Sequence, residues 1–317
     1  MRKILFFLAA LFIGSVSAQT YPSKAIKIIV PFTPGSATDV MARIVGERLS
    51  TAWGQPVLVE NKPGAGGTIG IRDTARADAD GYTMAVVSSG HAVNHVLYKD
   101  LGYDTLKDFA AVAMLGSLPS VLIVPPTLPV NSVKELIAML KAKPGQYNYA
   151  TAGVGSGAHV STEKFNVAAG VKAVHVPLKG TPPILTETMA GRVEYAMVPA
   201  VSGMGPVRDG KVKPLAVTTS KRVAALPNVP TLGEAGLPEG ESTFWLALLA
   251  PVKTPREIIA KVNAEVGRAL TTSEVVERLA KLGTEPMSMT PAEADAFIRR
   301  EYEELGKVMR AAGLTPQ

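Results

Sequence analysis

The chain has 317 residues, no cysteine, and a formal charge of +6 from 33 Lys and Arg against 27 Asp and Glu. Without cysteine there is no disulfide, no thiolate nucleophile and no Cys-ligated metal. Basic residues are dispersed and aromatics make up only 6%, so the clustered basic face of a nucleic-acid binder is not expected.

Residues 1–18, MRKILFFLAALFIGSVSA, read as a cleavable signal peptide. Arg2 and Lys3 precede an apolar run at 4–13, and Val16-Ser17-Ala18 supplies small residues for cleavage. The run is well short of the ~20 residues needed to span a bilayer, so an exported chain beginning near Gln19 is expected. The remainder, about 300 residues, exceeds what one hydrophobic core usually accommodates, which favours two domains.

Short apolar runs then follow at 25–30, 56–60, 82–87, 121–126, 147–151, 173–178, 193–198, 214–218 and 244–250. Several are almost continuously apolar, as strands covered on both faces are. Between them, Val40, Ile44, Val45 and Leu49 recur at helical spacing, as do Val133, Leu136, Ile137 and Leu140. The alternation predicts an α/β fold of mostly parallel sheets flanked by helices. The C-terminal part holds helical segments only. Starts with capping-box spacing are expected at Thr254-Pro255-Arg256-Glu257, Thr271-Thr272-Ser273-Glu274 and Thr290-Pro291-Ala292-Glu293. The apolar stripes of these segments require a built domain to cover. Prolines at 125, 126 and 129, and again at 251 and 255, mark two crossings. The expected division is 19–121 plus 249–317 for lobe 1 and 122–248 for lobe 2, with a ligand cleft between them.

Two stretches carry the functional argument: PFTPGSATD at 31–39 and ATAGVGSGAH at 150–159. Each joins a strand-like run to a helix-like run, one in each expected lobe. The first N–H groups of a helix lack intrahelical acceptors, and the helix dipole favours an anion there by about 0.3–1 kcal/mol, up to ~2 when partly buried. Gly35, Gly153, Gly155 and Gly157 permit close backbone approach, and Ser36 and Ser156 offer hydroxyls. Two facing cradles of this kind suit a small molecule with carboxylates at its ends. Ser88-Ser89-Gly90 after the third run adds hydroxyls to the same cleft.

Sharper motifs fail. Gly153 to Ala158 fits the dinucleotide fingerprint, but the acidic residue wanted about 20 positions on is replaced by Leu178-Lys179. Gly205 to Lys211 has P-loop spacing, yet Val212 stands where a hydroxyl is required, so a surface turn is expected. His91 and His95 are four apart without a third ligand, and are expected as helix-surface or capping histidines. Ser161 to Lys164 matches S-x-x-K without its partner motifs and reads as an amphipathic helix face. No catalytic set, metal site or cofactor is expected.

Over the whole mature chain, VPFTPGSATDVMAR, VLVENKPGAGGTIG, ADGYTMAVVSSG, LYKDLGYDTLKDFAAVA, YNYATAGVGSGAH, HVPLKGTPPILTETMAGRVEYAM, LAVTTSKR, LPNVPTLGEAGLP and FWLALLAP together resemble the TctC-like (Bug-type) substrate-binding proteins of tripartite tricarboxylate transporters. The resemblance implies a two-lobed periplasmic binding protein of type 2, with two crossovers. It also implies a monomeric clamshell that takes a small carboxylate and hands it to integral membrane transporter subunits. Carried onto this chain, it implies ligand contacts from Phe32, Thr33, Gly35, Ser36 and Asp39 in the first loop. The second loop would supply Thr151, Ala152, Gly153, Ser156 and His159, with Ser88, Ser89 and Lys179 nearby. The family's first loop usually reads Pro-Gly-Gly; here it is Pro34-Gly35-Ser36. Asp39 would repel a bare carboxylate and is expected to cap the helix and hold a bridging water. A ligand-sensing module for a membrane sensor and an exported enzyme are the rival readings.

Overall fold

The computed structural model describes residues 21–316, and the signal peptide expected at 1–18 lies outside them. In chain order the strands are β1 (Ile26–Val30), β2 (Val57–Asn61), β3 (Thr83–Ser88), β4 (Phe109–Leu118), β5 (Ser120–Val124), β6 (Asn148–Thr151), β7 (Val174–Pro177), β8 (Tyr195–Pro199), β9 (Lys213–Val217) and β10 (Phe244–Pro251). The helices are α1 (Ala37–Trp53), α2 (Thr68–Ala75), α3 (Asn94–Leu97), α4 (Val133–Ala142), α5 (Gly157–Ala169), α6 (Thr181–Met189), α7 (Ala200–Arg208), α8 (Arg256–Thr271), α9 (Ser273–Lys281) and α10 (Pro291–Ala311).

Nine of these strands coincide with the expected apolar runs; β4 has no counterpart among them. Its sequence, FAAVAMLGSL, is rich in Ala and holds one β-branched residue, so its strand propensity is low. Tertiary packing makes it a strand: β10 pairs along its whole length, and α8 and α10 cover it.

The two sheets share one plan. The first runs β2-β1-β3-β10-β4 and the second β7-β6-β8-β5-β9. β1 pairs parallel with β2 and β3, whereas β10 is antiparallel to both β3 and β4. β6 pairs parallel with β7 and β8, whereas β5 is antiparallel to both β8 and β9. In each sheet, then, a single strand opposes four others, and it is the one that arrives by a crossing. Both crossings lie earlier than expected. Val121, placed last in lobe 1, belongs to β5 of the second sheet, which begins at Ser120. Residues 244–248, assigned to lobe 2, pair with β4 in the first sheet. The prolines at 125 and 251 follow or end these strands, so they mark strand ends and not the crossings.

The tail returns to the first sheet. Val262 and Val266 of α8 are fully buried in the core that includes Ile28, Ile44 and Leu248, and Asn263 Nδ2 donates to the carbonyls of Val112 (2.8 Å) and Met289 (3.0 Å). On α10, Glu301 accepts the indole N–H of buried Trp245 at 2.8 Å. Of the three expected starts, Thr290 alone forms a complete capping box. Pro255 is the N-cap of α8, leaving the Thr254 hydroxyl without a partner. Thr271 ends α8 and bonds back to its carbonyls, so Thr272 starts α9 without a side-chain cap. Proline and helix-end geometry shift both starts by one residue.

Three other expectations change. His91 is buried, stacked on Tyr103 and edge-on to Phe109; His95 stacks on Tyr302, so these are packing residues and not surface caps. α5 is buried on most sides, Ser161, Thr162 and Glu163 included, and is not an amphipathic surface face. Residues 205–208 complete α7 around Pro206, and the surface turn begins only after them.

Candidate functional site

β1, β3, β6, β7 and β8 all send their carboxyl ends toward the gap between the lobes, where open α/β sheets bind ligands. The two Gly-rich loops follow β1 and β6. Gly35 and Gly155 adopt φ of +80° and +77°, a region that L side chains resist. Ser36 and Ser156 follow at φ/ψ of −69°/161° and −70°/160°, each as the N-cap of a helix. That conformation is open to any residue, so serine sits at both positions without backbone strain.

One cavity sits between these helix starts. Ser36, Ala37 and Thr38 of the first loop and α1 line it from one lobe, and Ser156, Gly157 and Ala158 line it from the other. Thr181, the first residue of α6, and Pro199, immediately before α7, complete the second lobe's wall. Four helices therefore begin at one cavity. Their early N–H groups have no intrahelical acceptors, and the dipoles add positive potential. Ser88 supplies a further hydroxyl, and Phe32, Ala152 and Phe244 supply apolar surface; among the described residues no charged one lines the cavity.

The lobes are closed over it. Tyr98 Oη donates to Val154 O at 2.7 Å, Thr33 N–H to Lys179 O at 3.4 Å, and Ser202 Oγ to Gly35 O at 3.3 Å. A Cβ on Gly66 would overlap the Val154 carbonyl oxygen, and one on Gly90 would meet Gly155 O and Gly157 N. The enclosed space is about 20 Å³, room for one or two waters at ~10–15 Å³ each. Anything larger requires the lobes to part and to close less completely. A second cavity, about 800 Å³, lies beside the crossings, against Ser117, Pro119, Thr218 and Ser242. α9 and α10 wall it, and the two Gly-rich loops do not reach it.

Of the residues expected to contact ligand, Phe32, Ser36, Ser88, Ala152 and Ser156 line the small cavity. The others surround it. Thr33 and Gly35 stand at the interlobe seam through their backbones, and Gly153 packs against Gly66 of the other lobe. Ser89 is buried against Gly157. Thr151 lies behind the loop, where its hydroxyl bonds His175 at 2.6 Å. The exposed Lys179 offers this region only its carbonyl oxygen.

Asp39 and His159 do not line the cavity; each holds its loop from behind. Asp39 Oδ2 accepts the Gly35 N–H at 2.9 Å, Asn61 donates to Oδ1 at 2.9 Å and also to Phe32 O, and Arg43 Nε approaches both oxygens at 3.1 Å. Asp39 thus ties the loop from inside the first turn instead of capping the helix. Burial alone would raise its pKa, but the bonds from Arg43, Gly35 and Asn61 outweigh it and hold the carboxyl below its ordinary value. His159 Nδ1 accepts the Gly155 N–H at 3.2 Å, and its own N–H donates to Ser156 Oγ at 3.2 Å. Burial, with His175 beside it, lowers the His159 pKa to about 3.

Ala37, Thr38, Ala158, Thr181, Pro199 and Phe244 were not among the expected contacts, whereas Gly157 was read as a point of close backbone approach. For Thr181 a signal exists: Gly180-Thr181-Pro182-Pro183 after an apolar run is a helix start. For Phe244 there is none, since it reaches the cavity only because β10 crosses back to the first sheet.

The family model of the "Tripartite tricarboxylate transporter family receptor" matches residues 41–314. Protein BugT of Bordetella pertussis is 39% identical over 98% of this chain and 95% of its own length. An R. palustris protein solved with adipate superposes with a TM-score of 0.90 at 34% identity, over 94% of this chain and 100% of its own. MatC from Rhodopseudomonas palustris with bound malate gives 0.87 at 34%, over 91% and 99%.

Proposed function

From the premise that the chain belongs to the TctC family of tripartite tricarboxylate transporter receptors, we propose a periplasmic, monomeric solute receptor. It holds a small carboxylate-bearing metabolite between its lobes and passes it unchanged to integral membrane transporter subunits. No helix among the described residues is long and apolar enough to cross a membrane. The residues read as a signal peptide direct export. Phe32, Ser36, Ser88, Ala152 and Ser156 contact the ligand, and the remaining expected residues set the loops and the seam.

The observation that carries this reading is the convergence of four helix N-termini from two lobes on one cavity free of charged side chains. Such a site attracts negative charge through backbone amides, and no carboxylate among its lining residues would hold a positively charged ligand. Each N-terminus contributes about 0.3–2 kcal/mol, whereas a micromolar dissociation constant needs about −8 kcal/mol. Hydroxyl bonds and apolar contact with Phe32 and Phe244 supply the rest. Two of the solved relatives hold dicarboxylates, adipate and malate, which suits facing cradles that each take one end.

A thermal-shift panel of the mature chain tests this, with four- to six-carbon dicarboxylates, malate and adipate included, against the matched diamides. A ligand present at 100 times its dissociation constant adds about 2.7 kcal/mol of stability. Equal shifts from acids and amides would overturn the anion-cradle reading. Recovery of the acid chemically unchanged separates a receptor from an enzyme.

A further inference from the structure

Two imidazoles lie behind the second loop, and neither lines the cavity. The His159 and His175 rings stack with centroids 4.4 Å apart and planes within 10° of parallel. His159 Nδ1 accepts from Gly155 N–H, so that nitrogen carries a lone pair and the proton sits on Nε2. Nε2 is buried without a hydrogen-bond partner among the described residues, 3.9 Å from Glu163 Oε1. His175 Nε2 bonds Thr151 Oγ1, and that hydroxyl is 3.2 Å from both the N–H and the carbonyl oxygen of Gly153. Each ring therefore holds one end of the Gly153–Gly155 turn.

We propose that His159 and His175 are positioning residues for the second loop: stacked neutral imidazoles that fix its backbone and, through it, the affinity for the bound carboxylate. The inference rests on reading this loop as a carboxylate contact. Its chemistry follows from donor and acceptor roles. A neutral His159 accepts at Nδ1; a protonated one places an N–H against the Gly155 N–H and the bond is lost. The ionisable groups around the pair are Glu163 of α5, Tyr149 of β6, Tyr195 of β8 and, from the first lobe, Tyr98. Tyr149 Oη and Asn166 Nδ2 donate to Glu163, Tyr195 Oη donates to Asn166 at 2.7 Å, and Tyr98 holds Val154 O. Both donors meet the same Glu163 oxygen, Oε1, which stands 3.9 Å from His159 Nε2. Burial also keeps His175 neutral, its pKa lowered to about 4.

The test uses the mature chain in two arms. Nitrogen-15 NMR without ligand should show the Nε2–H tautomer of His159, and the Gly153 and Gly155 amide signals should move together as His159 is protonated. Asparagine places Oδ1 close to the position of Nδ1, so His159→Asn should keep the Gly155 amide signal and flatten its pH dependence. His159→Leu should displace that signal at pH 7. In the second arm, malate and adipate are titrated by calorimetry. For whichever binds, His159→Leu should raise the dissociation constant about tenfold, the effect of losing one such hydrogen bond, while His159→Asn stays within about twofold. Equal behaviour of the two variants, or loop amides that ignore the titration, would refute the positioning role. If no dicarboxylate binds, the receptor reading fails while the NMR arm still decides this one. If His159→Leu does not fold, the pH profile of His159→Asn against the unaltered chain decides.

Discussion

The loops after β1 and β6 have nearly the same backbone. Gly35 and Gly155 differ by 3° in φ, +80° against +77°, each is followed by an N-cap serine, and each glycine N–H bonds to the side chain four residues on. In the first loop that side chain is Asp39, bonded to Arg43 and Asn61. In the second it is His159, set among His175, Tyr149 and Glu163. One turn geometry is thus stabilised by a charged network near the surface and by a neutral, buried aromatic stack. The carboxylate's repulsion for an anionic guest is offset by Arg43. The imidazole adds no charge and needs no such offset, but it can act as an acceptor only while it stays unprotonated. The backbone has the same form in both loops, and the supporting residues set the conditions under which each loop survives.

The largest expected effect comes from the seam that only the second loop makes with Gly90. The three atoms nearest to a Cβ on Gly90 belong to Gly155, Ser156 and Gly157 of the other lobe. Gly90→Ala should therefore leave the first lobe intact and hinder closure, lowering dicarboxylate affinity about a hundredfold by depleting the closed state. Calorimetry with small-angle scattering checks this, and unaltered affinity would mean the lobes need not close this far.

Next is Asp39→Ala. It leaves the Gly35 N–H and Asn61 short of an acceptor, for a loss of about 2 kcal/mol; the half-exposed Arg43 adds little after solvent screening. Urea unfolding measures it. A loss as small as that of a surface substitution would show that the first loop stands without its carboxylate.

The third effect depends on pH. His159 and His175 have folded values of about 3 and about 4 against an ordinary 6.5. Their contribution to stability is full above 6.5 and declines as pH falls toward those folded values. Asp39 is lowered from 3.8, so its contribution persists above 3.8 and declines only below. Glu163, raised by burial, works oppositely: its contribution is present below 4.5 and is lost as pH rises through its folded value. Between pH 6.5 and 4.5, local opening at 152–157 should therefore increase, by up to about tenfold per pH unit for one proton, while 33–38 stays protected. Hydrogen exchange corrected for intrinsic rates measures both segments, and parallel behaviour would erase the distinction. His91 and His95, each lowered to about 4 by burial, add to a global loss in the same window.

The smallest effect separates the two serines. Ser156 Oγ caps the His159 N–H, whereas Ser36 makes no cap bond and pairs with Thr38 Oγ1 at 3.0 Å. Ser156→Ala should cost about 1 kcal/mol and Ser36→Ala less than about 0.5 kcal/mol, both by urea unfolding; a reversed order would contradict the cap assignment.

Much of this was legible from residues alone. Nine of the strands could be read because continuous apolar runs bounded by turn residues are local patterns, and β4 could not because its Ala-rich sequence is a strand only under α8 and α10. The turns at Gly35 and Gly155 could be read because glycine before an N-cap serine is a local signature. Lys179 shows the limit: the family resemblance implied a ligand contact, while in the fold its side chain is exposed and its carbonyl oxygen meets the other lobe.

The order of residues by itself determined the α/β class, the paired Gly-Ser turns and the helix starts that follow them, since periodicity and backbone preference act over a few neighbouring positions. The tertiary structure alone decided that four helix starts share one cavity, that Phe244 joins them, and that His159 is buried behind its loop with Nδ1 accepting the Gly155 N–H. Convergence and loss of water depend on atoms far apart along the chain, which no local pattern records.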